Sequence, residues 1–339
     1  MCSMDHPSDA AAAVRQTRRD IVIAMGRIAL VLGSGGARGY AHIGAIEVLE
    51  EHGHEVVTVA GSSMGALIGG LYSAGKLGEF TVWALGLRQF DILRLVDPAV
   101  GAAGLVRAQR VTRHLSDMLG GMSIEDARIP YTAVATDLGS RREVWFQQGP
   151  MDVAIRASIA MPSLITPVVV GDRLLIDGGV VNPLPIEPTL AVAADLTVAV
   201  NLNGPSGAPS QSKDPATSTP FHASADETPV GQAWLDRFRR GASDLLAQSP
   251  LQRKKVEPST PDLYRLDQPP KDLSYLDLLT QTVDMMSTII TRYRTSANAP
   301  DVTIQVPHDA CRVTDFHRAE EMVALGRRLT EEALARAGL

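Results

Sequence analysis

The sequence predicts an α/β fold with a central, mostly parallel sheet flanked by helices. Three observations carry that expectation. Residues 27–33, Arg-Ile-Ala-Leu-Val-Leu-Gly, form a short apolar run ending in glycine, the pattern of a strand buried on both faces. A glycine-rich turn over 34–39 then gives way to helical spacing over 40–52, with Ala41, Ile43, Ala45, Ile46, Val48 and Leu49 on the apolar side and Gly53 as the stop. The unit then repeats, with a strand over 55–60, a tight turn over 61–65 and a small-residue helix over 66–74. Strand, turn and helix twice over is how parallel strands joined by crossover helices read.

Further elements follow in the same style. Strands are expected over 131–136, 143–147, 174–176 and 196–201, and a helix over 152–159 that Pro162 stops. Leu276, Leu279, Val283, Met286, Ile289 and Ile290 recur at helical spacing over 275–293. A strand over 302–306 and a charged amphipathic helix over 319–337 close the chain. Residues 1–26 read as a disordered tail, polar and lacking the apolar core of a signal peptide, with Met25 as an alternative start. Residues 203–229, dense in Pro, Ser, Thr, Ala and Gly, read as a flexible surface insertion. That leaves 27–202 as the expected core of the domain and 230–339 as the C-terminal part of the same domain.

Composition narrows the function classes. The 339 residues are 45% apolar and 21% charged, which suits a globular chain with a sizeable core. A net charge of −6 gives no general attraction to nucleic acid. The two cysteines, Cys2 and Cys311, exclude a disulfide framework and a cysteine-built zinc cluster, and suit a reducing compartment. The apolar run over 21–32 is too short for a membrane span and carries Arg27. The expectation is a cytoplasmic protein, with peripheral attachment at the inner face of the membrane as an alternative.

Three motifs carry the chemistry. Gly61-Ser62-Ser63-Met64-Gly65 fits G-x-S-x-G between a strand and a helix, the setting of a nucleophile elbow. There the serine takes a strained backbone that lifts its hydroxyl clear, and the flanking positions have room only for glycine. The plainer reading is a glycine turn. Ser34-Gly35-Gly36-Ala37-Arg38-Gly39 offers consecutive amides free of bulky side chains, able to converge on an oxyanion or a phosphate. As a dinucleotide fingerprint it fits poorly: Arg38 stands where the third glycine belongs, and the second strand does not end in the acidic residue a ribose needs. Neither turn is a P-loop, since no Gly-Lys-Ser/Thr follows. Ile176-Asp177-Gly178-Gly179 ends an apolar strand with a carboxylate at the same sheet edge as the two turns, or else marks a hairpin turn. The late histidines, His308 and His317, lie in polar contexts that read as surface positions, so a Ser-His-Asp arrangement is poorly supplied.

Taken in order, S-G-G-A-R-G at 34–39, G-S-S-M-G at 61–65 and D-G-G at 177–179 resemble the patatin-like phospholipase family, in its bacterial members related to the neuropathy target esterase catalytic domain. The stretches 40–44, 135–138, 156–162 and 177–185 are similar too, so the resemblance covers 27–202 closely and is looser from Leu273 onward. It implies a three-layer sandwich and a serine lipid acyl hydrolase, of the phospholipase A, lysophospholipase or carboxylesterase kind, working through an acyl-enzyme. Carried over residue by residue, Ser63 is the nucleophile and Asp177 its base. Gly35, Gly36, Ala37 and Arg38 supply the oxyanion hole, Gly61 and Gly65 flank the elbow, and no cofactor or metal is implied. Ser34 departs from the plant members, which have glycine there; backbone amides do the binding, so little should change. The Arg38 side chain would hold the turn or a substrate phosphate, with a salt bridge as the plainer role, and Asp137 is expected to be structural.

The stretch over 80–106, rich in Phe80, Val82, Trp83, Leu85 and Leu87, reads first as an amphipathic helix covering the core. Lining an acyl pocket or resting on a membrane surface, with Trp83 as a candidate interfacial anchor, is the other reading. Arg107, Arg110 and Arg113 follow it, either toward lipid phosphates or as a solvated face. Two other functions stay open: a lipid acyltransferase on the same acyl-enzyme, and a non-catalytic lipid-binding regulator. The partner is a lipid or ester substrate, with transient docking at a membrane surface. The oligomeric state is left open by the sequence.

Overall fold

The computed structural model describes residues 26–88, 108–162, 164–206 and 275–339. In chain order these form β1 (Arg27–Leu32), α1 (Ala41–Glu51), β2 (Glu55–Ser62), α2 (Met64–Ser73), α3 (Leu77–Leu85), α4 (Gln109–Leu119), β3 (Tyr131–Asp137), β4 (Arg142–Phe146) and α5 (Met151–Ser158). There follow β5 (Val168–Val170), β6 (Arg173–Asp177), β7 (Leu196–Gly204), α6 (Tyr275–Ala297), β8 (Val302–Pro307) and α7 (Ala319–Ala337). The result is a mostly parallel central sheet flanked by helices.

Five strands, in the order β8-β7-β1-β2-β3, run parallel to their neighbours. Alternation along β1 loads both faces of the sheet. Ile28, Leu30 and Leu32 enter the large core with side chains of α1, α2, α5 and α7, whereas Val31 packs with Leu184, Ile186 and Ala199. The α1–α7 crossing is close enough to be backbone on backbone. A Cβ on Gly44 would lie 2.1 Å from the Val323 carbonyl oxygen, and one on Gly326 would lie 2.1 Å from that of Ala41. Among the described residues no helix is long and apolar enough to cross a membrane.

The far end of β3 departs from the parallel pattern in a way that positions the site. Ala133–Asp137 pair antiparallel with β4 along one edge. The other edge is shared, with Tyr131–Val134 pairing with β2 and Ala135–Asp137 with β6. Since β2 is parallel to β3 and β6 antiparallel, β2 and β6 run toward each other along one edge and meet end to end. Ser62 sits opposite Val134 and Asp177 opposite the adjacent Ala135.

Several expectations shift by a turn. The tight turn foreseen over 61–65 is sharper than expected, since β2 continues to Ser62 and α2 starts at Met64. β7 runs through Asn203 and Gly204, which removes those two residues from the expected insertion; 207–274, and with it most of 203–229, lies outside the described residues, as do 1–25. The stretch foreseen over 80–106 resolves into α3 up to Leu85, and 89–107 lies outside the described residues. α4 and the three-residue β5 were not foreseen, and the sequence offers little signal for either.

Candidate active site

Ser63 is the single residue between β2 and α2, with φ 56° and ψ −122°. A non-glycine residue adopts that conformation only where its surroundings impose it. Here they do so by close packing. A Cβ on Gly65 would lie 2.1 Å from the Leu32 carbonyl oxygen, and one on Gly61 would lie 2.3 Å from the carbonyl oxygen of Gly65. The strand and helix therefore approach as no other residue pair would allow, and the first turn of α2 aims its amide end at Ser63.

Ser63 Oγ donates to Asp177 Oδ2 at 2.5 Å, and both residues are buried. The Gly179 amide donates to the other carboxylate oxygen at 2.7 Å. The Asp177 amide donates to the Ala160 carbonyl, and Thr136 Oγ1 donates to the Asp177 carbonyl, each at 2.9 Å. Burial pushes the Asp177 carboxyl up to about 6, against the lowering pull of the Ser63 hydroxyl and the Gly179 amide. The two strand ends thus bring Ser63 and Asp177 together as the sequence leads one to expect, but through a strand that runs antiparallel to the sheet. Among the described residues neither late histidine hydrogen-bonds to the pair: His308 and His317 are exposed, and His308 Nδ1 faces the Gly204 carbonyl.

The 34–39 turn is a short 3-10 helix over Gly36–Tyr40. Its amides are not equivalent. Ser34 donates to the Pro183 carbonyl and Ala37 to the Val313 carbonyl, at 2.8 and 2.9 Å, while the 3-10 pattern turns the Arg38 amide back toward Gly35. Among the described residues the amides of Gly35 and Gly36 carry no hydrogen bond. Of the four amides expected to form an oxyanion hole, those of Ala37 and Arg38 are therefore already committed within the protein. Gly36 has φ 58°, and a Cβ there would lie 2.3 Å from Val313 Cγ1. His42 is fully buried beneath the turn, where Nε2 donates to the Gly33 carbonyl at 2.9 Å; desolvation pulls its pKa down to about 4, so the ring is neutral.

The Arg38 side chain faces inward, 1% exposed. It donates to the carbonyls of Gly35 and His308 and forms an ion pair with Asp284 on α6 at 2.6 Å. That is the structural role, a clamp on the turn. Asp137 is also structural, accepting from the Gly139 amide at 2.9 Å and Ser140 Oγ at 2.8 Å to hold the β3–β4 turn.

Beside Ser63 opens an apolar cleft of about 220 Å³, walled by Leu67, Phe80, Trp83, Val111, Ile159 and Phe316. Trp83 is tilted against Phe80 and His114, at 5.4 and 4.7 Å between ring centres, so it lines the cleft where an exposed anchor was foreseen. Val82 and Leu85, on the opposite side of α3, are 75% and 48% exposed. Arg110 and Arg113 are exposed on α4, and Arg107 lies outside the described residues. Sequence reasoning passed over Val313 and Asp284, which act on the turn through a carbonyl and a clamp, and left no local pattern to find them. Ser158, whose hydroxyl accepts from the Ser63 amide, sits within the familiar 156–162 stretch but drew no role.

The model of the patatin-like phospholipase family matches residues 30–190. An uncharacterized NTE family protein of Mycobacterium bovis is 43% identical over 334 residues, spanning 91% of this chain and 91% of that protein, and one of Mycobacterium tuberculosis matches equally. A lysophospholipase of Emericella nidulans is 29% identical over 52% of this chain and 12% of its own length. The neuropathy target esterase of Drosophila melanogaster is 32% identical over 52% of this chain and 13% of its own length. With the family model on its core and a close relative along nearly its whole length, this chain belongs to the patatin-like phospholipase family, among the NTE family proteins.

Proposed function

We propose that the protein is a serine lipid acyl hydrolase that cleaves acyl esters through a Ser63–Asp177 dyad. The observation that carries this is the 2.5 Å contact from Ser63 Oγ to a buried carboxylate, at a strained turn beside an apolar cleft. The family membership and the lysophospholipase and esterase names of its more distant relatives support the substrate class.

In the reaction, Asp177 takes the Ser63 proton as Oγ attacks the ester carbonyl. A carboxylate of ordinary pKa is a poor base at neutral pH; one raised to about 6 is better matched to the task while still ionised. The amides of Gly35 and Gly36 stabilise the oxyanion, and each such donor is worth about 10²–10³ in rate. The alcohol leaves with the proton from Asp177, and water then releases the acyl group by the same route in reverse. The acyl chain occupies the cleft, and the exposed Val82 and Leu85 dock α3 transiently on a lipid surface.

The test is hydrolysis of p-nitrophenyl esters and a lysolipid and phospholipid panel by wild type, Ser63→Ala and Asp177→Asn. Each variant should lose more than about 10³ in kcat. Rates near wild type in both would end the dyad reading, and acyl transfer to an added alcohol in preference to water would make the enzyme a transferase.

A further inference from the structure

We propose that Ser158 is a positioning residue for the nucleophile, its hydroxyl holding the strained turn that aims Ser63 at Asp177. The inference rests on the hydrolase reading above and assigns a further part of the same machinery.

The β2–β3 ladder ends at the Ser62–Val134 pair. One residue on, the elbow conformation takes the Ser63 amide out of the ladder and leaves a buried donor to be satisfied. Ser158 Oγ fills that gap. It accepts from the Ser63 amide at 2.9 Å and donates to the Val134 carbonyl at 2.6 Å, with Ser158 fully buried. A side-chain hydroxyl thus stands as a spacer between two strands where a direct rung would flatten the turn.

The same short segment also touches the base. Two residues beyond Ser158, the Ala160 carbonyl accepts the Asp177 amide at 2.9 Å. The Val134 carbonyl is in turn the floor on which the β6 end rests, since a Cβ on Gly178 would lie 2.0 Å from its oxygen. The end of α5 therefore grips the strand end that carries Ser63 and the strand end that carries Asp177. The hydroxyl is the one polar side-chain group in that grip, and it touches no reacting atom.

Threonine and valine differ at this position by the hydroxyl and share a shape, which makes Ser158→Thr and Ser158→Val the informative pair, with Ser158→Ala as the variant that cannot overpack. The readouts are kcat per site titrated with a fluorophosphonate, KM on a soluble ester, the labelling rate of Ser63, and the melting temperature. Val and Ala should lose kcat and labelling rate by about ten- to hundredfold with KM little changed, and Thr should recover most of it. Val or Ala variants that turn over at the wild-type rate per titrated site, with only a lowered melting temperature, would overturn the proposal, as would a Thr variant no better than Val. A wild type whose Ser63 does not label would overturn the hydrolase reading and this inference with it; normal labelling of wild type, Ala and Val alike would remove this inference alone.

Discussion

Burying Asp177 beneath Ser63 raises its carboxyl to about 6, and burying His42 beneath the 34–39 turn lowers its ring to about 4. The two residues therefore load the fold in opposite directions. For Asp177 the folded pKa exceeds the unfolded value of about 4, so its stability contribution is present below pH 4 and lost as pH rises through about 6, at a cost of about 3 kcal/mol. For His42 the folded pKa lies below the unfolded value of about 6.5, so its contribution is present above pH 6.5 and lost as pH falls through about 4, by a similar amount. Between pH 4 and 6 the two nearly offset one another. Removing either uncovers the other. Asp177→Asn should be inactive yet melt several degrees above wild type at pH 8, with the gain vanishing near pH 4. His42→Gln, which keeps a donor for the Gly33 carbonyl, should gain on wild type as pH falls from 6.5. Melting temperatures across pH 4–8 check both, and flat differences would refute the assignment. If Asp177 is the base as proposed, the same titration sets the acid limb of kcat/KM, which should fall below about pH 6.

At the scale of elements, glycine does two different jobs. Gly326 and Gly44 let α1 and α7 touch backbone to backbone, so Gly326→Ala should destabilise by about 1–3 kcal/mol. Gly78 in α3 has nothing within 4 Å of a Cβ, so Gly78→Ala should stabilise by up to about 1 kcal/mol. Chemical denaturation of the two variants measures both signs. These glycines also mark what was legible in the sequence. The strand–turn–helix units around Gly35 and Gly61 could be read because their signals are local: an apolar run, a turn, then helical spacing. Helix α7 could be read over its full 319–337 extent for the same reason. The glycine contact that seats α7 on α1 joins residues far apart in the chain and leaves no such pattern. Asp177 stood out as a carboxylate ending an apolar strand, but the direction of β6 was hidden, because antiparallel pairing with β3 is set by a contact some forty residues away in sequence. Val313, Asp284 and Ser158 escaped because each serves the site through one carbonyl, one clamp or one hydroxyl.

For the whole molecule, the proposed docking on lipid rests on a helix with two contrasting sides. Phe80 and Trp83 of α3 wall the cleft, while Val82 faces out. Val82→Glu should lower turnover of lipid in vesicles by about tenfold and leave hydrolysis of soluble short-chain esters unchanged, since only the first requires an apolar rim to enter an interface. Equal losses on both substrates would place the residue in folding instead. The end-to-end meeting of β2 and β6 has a further consequence for how activity is acquired. In the proposed dyad Ser63 directly follows the end of β2 and Asp177 ends β6, two strands that lie end to end along one edge of β3. A slip of one residue in either register would carry its half about 3.3 Å along the edge, beyond hydrogen-bond reach of the other. Helices can form before that register is set, whereas the proposed pair comes together only once both strands are in register. During refolding, recovered turnover should therefore lag behind recovered secondary structure, so that catalysis acts as a proofreading signal for the sheet itself.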